Sequence, residues 1–167
     1  DFLLSTKEET LIEGLSVDGL QAWGKLYDDI AGSLRVEING EKYTLANASK
    51  FTSNPDRNLR KKSFNAIKDA WKTQEIGTAA VLNSINGWRN EIFLNRSHKH
   101  EFHYLDNTCT ANNFSKESLH ALMDTTFKQK HIAQKAIDLM RRELKLDQIE
   151  LYDLVAPFPT EDNIEEK

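Results

Sequence analysis

Six apolar side chains, Val17, Leu20, Trp23, Tyr27, Ile30 and Leu34, follow one another at steps of three and four. On a helix of about 3.6 residues per turn this spacing draws one apolar stripe; on a strand the same residues would scatter over both faces. Such a stripe is stable in water only when another element covers it, so the chain is constrained to pack helices. Ser16 precedes the stripe and is expected to cap it. Upstream, Ser5 and Glu8 have the spacing of a capping box and predict a short helix over about residues 6–13.

The stripe ends at "LRVEINGEKYTL", where Asn39 and Gly40 separate two short β-prone stretches. Asn-Gly is the dipeptide that best tolerates positive φ at both central positions of a tight hairpin. A lone hairpin is marginal in water, so this one must pack on helices. The expected fold is therefore mainly α, a multi-helix domain with one small β-hairpin at about residues 34–45, forming a single domain over 1–167.

Helical pattern returns in "SNPDRNLRKKSFNAIKDAW". Ser53 or Asn54 can cap, Pro55 suits the first turn, and Asp56 lies where the helix dipole favours an anion. Leu59, Ser63, Ile67, Ala70 and Trp71 make the inner face, which leaves Arg57, Arg60, Lys61 and Lys62 to a solvated outer face. Thr73 is expected to cap a further helix running to about Asn95. Its apolar residues, among them Ile76, Val81, Ile85, Trp88 and Ile92, fall on several faces and predict burial on more than one side. Ser115 opens a long pattern reaching about Leu146. Because that is long for one globular helix, a break is expected near residues 128–130. The closing "LYDLVAPFPTEDNIEEK" has no helical period until its last residues, and Tyr152 and Asp153 are expected to anchor it as a loop.

"SHKHEFHYLD" holds the ingredients of a metal site in His98, His100, Glu101 and His103. Zinc-binding histidines on a helix stand four apart, with the Glu beside the first acting as general base. Here His103 follows His100 by three, one residue short. His98 and His100 would share a face only on a strand, which no β-branched residue supports, and no nearby His or acidic cluster completes a tetrahedral set. The segment is expected to be a polar connector. Asp28 and Asp29 are adjacent, so on a helix they diverge and cannot work as a pair. Cys109 has no base placed beside it by sequence and reads as a buried or inert thiol. Arg142 and Glu143 in "MRRELK" read as a solvated face. Phosphate-binding glycine motifs and G-x-S-x-G are absent. No catalytic, cofactor-binding or metal residue is expected in this chain.

The net charge of −4 carries no bias toward nucleic acid or an anionic membrane. No apolar run is long enough for a bilayer span, and the first residues lack the basic and apolar regions of a signal peptide. The first residue is not Met, and the chain is expected to be an internal piece of something longer. One cysteine excludes an internal disulfide and suits a reducing compartment, so the expected location is the cytoplasm. Asn-x-Ser/Thr matches at Asn47, Asn95 and Asn113 are read as chance.

Read in order, "LSVDGLQAWGKLYDDI", "NPDRNLRKKSFNAIKDAW", "LNSINGWRNEIFLNR", "NNFSKESLHALM" and "LKLDQIELYDLVAP" resemble the oligoendopeptidase F family of zinc metallopeptidases, relatives of thimet oligopeptidase. The likeness runs from about Leu15 to Pro157. It is carried by S-x-x-G-x-x-A-W at Ser16–Trp23, P-D-R-x-x-R at Pro55–Arg60, L-N-x-I-x-G at Leu82–Gly87 and Y-D-L-x-A-P at Tyr152–Pro157. The resemblance implies a largely helical enzyme whose two halves enclose a channel for short peptides, with zinc on an H-E-x-G-H helix and a distal Glu. No H-E-x-x-H occurs in these residues, and in the family it lies downstream of Y-D-L-x-A-P. The resemblance thus implies a non-catalytic portion, inactive alone. In the parent its partners would be an oligopeptide substrate and the remaining catalytic domain, with zinc bound there and not here. Edges facing the rest of such a protein would expose apolar residues and favour self-association. The alternatives are a free-standing helical binding or scaffold module and a small His-rich metal-binding protein.

Overall fold

The computed structural model describes residues 3–99 and 101–159. His100, and residues 160–167 where the last helical period was read, lie outside the described residues. The architecture is mainly α with one antiparallel hairpin, as the sequence predicts. In chain order come α1 (Thr6–Ser16), α2 (Ala22–Ser33), β1 (Arg35–Ile38), β2 (Glu41–Thr44), α3 (Leu45–Lys50) and α4 (Arg57–Lys72). They are followed by α5 (Glu75–Arg96), α6 (Tyr104–Ala111), α7 (Lys116–Lys128) and α8 (Lys130–Glu143). No helix among the described residues is long and apolar enough to cross a membrane. Contacts divide the chain into two compact units, one of Asp1–Ala31 with Gln74–Asp124 and the other of Gly32–Thr73 with Thr125–Lys167.

The second unit is built on the hairpin. Asn39 and Gly40 take φ of 54° and 86°, the left-handed pair their sequence allows, and the register sets Ile38 opposite Glu41 and Val36 opposite Tyr43. Alternation along β1 turns Val36 and Ile38 inward, where they bury with Ala48 of α3. Leu59, Ala66, Ile67 and Ala70 of α4 pack against that cluster, as does Phe51, which meets Tyr43 edge to face at 5.1 Å. Asp56 caps α4, accepting from the Asn58 N–H at 2.9 Å, in place of Ser53 or Asn54. Asn54 instead accepts from the Asp56 N–H, fixing the turn into the helix.

The basic face of α4 corrects the sequence reading. Arg60 is 2 % exposed and donates to Asp153 Oδ1 at 2.8 Å, to the Asn54 and Pro55 carbonyls at 2.9 Å each, and to the Tyr152 carbonyl at 3.2 Å. Arg57 makes a forked pair with the same carboxylate at 2.9–3.2 Å and lies over the Tyr152 ring. Asp153 is fully buried, and the Glu150 N–H completes its shell at 3.1 Å. Tyr152 and Asp153 therefore anchor the closing segment as expected, and the anchor is α4. Periodicity alone assigned the arginines to solvent because their partner lies 93 residues from Arg60. Burial works to raise the Asp153 pKa, but the two guanidinium groups and the Glu150 N–H outweigh it and hold the carboxyl at about 2.

In the first unit, Ser5 and Glu8 form the predicted capping box. The helix does not stop at residue 13, however. Ser16 is no cap: its hydroxyl donates to the Glu13 carbonyl, and one π-turn, Val17–Gln21, carries the backbone directly into α2. Thr73 likewise closes α4 behind it by donating to the Ala70 carbonyl, and α5 starts at Glu75 with no side-chain cap from Gln74. Nor is α5 buried on several sides. Val81 is its one fully buried described residue, while Ile76, Leu82 and Leu94 are exposed. Cys109 of α6 is buried, as read.

Ser115 accepts from the Ser118 N–H at the start of α7, and the expected break falls at Gln129. On α7 and α8, Met123, Phe127, Ile132, Ile137 and Leu139 are exposed. Helix α8 ends in a Schellman motif, with Leu146 N–H on the Arg141 carbonyl and Lys145 at φ 52°.

Asp153→Ala strands two guanidinium groups and should lower stability by about 3–5 kcal/mol in denaturant unfolding. Because the native Asp153 pKa lies below its ordinary value, its contribution is full above about pH 4 and is lost as pH falls toward 2; a stability–pH profile should lose about 2 kcal/mol there. Conversely, Lys145→Gly removes a side chain from the left-handed region and should stabilise by about 1 kcal/mol.

Candidate functional site

The histidine segment is built as a structural return. Ser97 Oγ donates to the Phe93 carbonyl at 2.8 Å and accepts from the Phe102 N–H at 2.9 Å, folding the chain back over the end of α5. Phe102 thereby stacks on Phe93, with ring centroids 4.9 Å apart. His103 is the N-cap of α6, a helix the sequence reading left as part of the connector. Its Nδ1 accepts from the Leu105 N–H at 3.2 Å, and Asp106 accepts from the His103 N–H at 2.7 Å. Periodicity missed α6 because the cap is a histidine and the helix has only eight residues.

His98 and Glu101 are exposed. Among the described residues no three His, Cys, Asp or Glu side chains are grouped to hold a metal ion, and the His103 Nδ1 lone pair is already used. Asp28 and Asp29 are exposed on α2, and Arg142 and Glu143 are exposed on α8.

The concave chemistry of the first unit lies around Trp88. A cleft of about 690 Å³ is walled by Leu20 of the π-turn, Trp88, Ile92 and Phe93 of α5, and Phe102. A second hollow of about 540 Å³ shares the Trp88 wall and is lined on its far side by Leu11, Ile12 and Leu15 of α1. Both volumes lie within the usual range for small-ligand sites.

The Trp88 ring can lie where it does because residue 19 is glycine. A Cβ there would stand 2.3 Å from Trp88 Cζ3 and 2.6 Å from Cε3. The π-turn sets this glycine against α5, and turns of this kind are frequent at functional sites.

Two ion pairs brace the cleft. Arg96 grips Glu9 with two bonds of 2.7 Å, tying the end of α5 to α1. The Arg96 hydrogen bonds and the Leu4 N–H hold the Glu9 carboxyl below the usual range. Asp106 meets Lys116 at 2.6 Å. Burial works to raise the Asp106 pKa, but the bonds from Lys116 and the His103 N–H outweigh it and leave the pKa lowered. A third charge on the lining, Arg89, is exposed. The site offers apolar surface and an aromatic wall, with Arg89, Arg96 and Asp106 as the charged groups on the lining of the larger cleft.

No protein-family model and no curated protein matches this chain. Among solved structures it is similar to the crystal structure of a "putative peptidase" from Chlamydophila abortus, at 20% identity and a TM-score of 0.78. The match covers 95% of this chain and 27% of that one, so the chain spans about a quarter of its structural neighbour. At this identity the likeness is one of fold.

Gly19→Ala should force the Trp88 ring off its seat and cost about 1–3 kcal/mol, as overpacking does. Thermal unfolding and a changed tryptophan emission spectrum would register it; an unchanged protein by both measures would refute the contact.

Proposed function

We propose that this chain is a non-catalytic helical portion of a zinc metalloendopeptidase of the oligoendopeptidase F type, an enzyme that hydrolyses oligopeptides. The observation that carries the reading is the fold shared along 95% of the chain with part of a much longer protein, the "putative peptidase" of Chlamydophila abortus. The ordered motifs from Ser16–Trp23 to Tyr152–Pro157 support the family. Two of them, P-D-R-x-x-R and Y-D-L-x-A-P, have a physical basis in this chain, since Arg57 and Arg60 of the first both pair with the buried Asp153 of the second.

On this reading zinc and its general base belong to the remainder of the parent enzyme, and the residues present here hold neither. The role of this chain is to form a wall that admits short peptides. Its partners are an oligopeptide and the catalytic remainder, without nucleic acid or membrane, and its location is the cytoplasm. A free-standing binding module is the second reading, and the apolar cleft around Trp88 favours it.

The parent gene separates the two. The first reading expects an H-E-x-x-H codon run downstream of Lys167, and a full-length product that cleaves a fluorogenic oligopeptide. A zinc chelator should abolish that cleavage and added zinc restore it, while the 167-residue chain alone gives none. A stop codon directly after Lys167 with a start codon beside Asp1 would select the binding module.

A further inference from the structure

Charges on the lining of the larger cleft divide by what they already hold. Arg96 is committed to Glu9, and Asp106 to Lys116 and the α6 cap. Arg89 makes no hydrogen bond or ion pair among the described residues, and it stands beside Trp88 and one turn before Phe93. An unpaired guanidinium at the edge of an apolar, aromatic-walled cleft is complementary to a ligand with an apolar body and one carboxylate. A cationic or purely apolar ligand would leave the guanidinium unmatched.

We propose that this cleft is a subsite for the C-terminal end of a short peptide, the last side chain lying against Trp88, Ile92 and Phe93 and the terminal carboxylate on Arg89. The choice of a peptide rests on the oligopeptide reading above. The apolar body and the carboxylate come from the cleft itself. The subsite prefers aliphatic or aromatic last residues and discriminates against amidated ends, because an amide cannot supply the charge-assisted, two-bond partner that guanidinium takes.

The 167-residue chain can be titrated with N-acetyl-alanyl-leucine and with its C-terminal amide. The Trp88 indole N–H signal is followed by NMR and assigned among the three tryptophans by Trp88→Phe. The free acid is expected to bind roughly tenfold more tightly than the amide. In Arg89→Gln, an exposed substitution whose folding is checked by thermal unfolding, that difference should vanish while the weaker amide response remains. Equal binding of acid and amide by the native chain overturns the proposal, as does no response to either at millimolar peptide. A preference that survives Arg89→Gln also overturns it. None of these results bears on the downstream zinc motif or on full-length activity, so failure here is distinct from failure of the peptidase reading.

Discussion

The second unit depends on one carboxylate. Asp153 is fully buried and shared by Arg57 and Arg60, so the terminal segment and α4 are fastened at a point from which water is absent. A buried charge of this kind is favourable only while every partner is present, since removing one leaves the others desolvated without compensation. The closure is therefore intolerant of partial change. It also presupposes the hairpin core: α4 can offer Arg57 and Arg60 to the closing loop only because Leu59, Ser63 and Ile67 are seated along its inner side. Turn chemistry at Asn39 and Gly40 thus supports, through two layers of packing, an ion pair far away in sequence.

In the first unit the organising contact is steric. Gly19 yields its side-chain volume to the Trp88 ring, and the π-turn that carries it lets one helical run pass from α1 to α2 while facing α5. Trp88 then serves two hollows at once.

What the sequence revealed follows the range of the forces involved. Local devices were legible: the Ser5–Glu8 box, the Asn39-Gly40 turn and the break at Gln129. Errors arose where one residue type serves two local roles. Ser16 and Thr73 have the composition of caps but donate to carbonyls behind them, so the helix boundaries shifted. His103 has the composition of a ligand but acts as a cap. Arg60 has the composition of a surface residue but is buried by a partner that helical periodicity cannot see. The cleft was illegible for the same reason, because its walls come from Leu20, Trp88 and Phe102, three separate stretches of chain.

The separation of Arg60 from Asp153 also has a consequence in time. Synthesis adds on the order of 5–20 residues per second. Between the addition of Arg60 and that of Asp153, roughly 5–20 s pass. During that interval the position Arg60 occupies when buried has no counter-charge, so its guanidinium stays hydrated and the closing segment is not yet fastened to α4. Completion of the fold is thus coupled to translation of a distant acidic codon, and a chaperone meeting the chain before then would find a basic, unsealed α4 face.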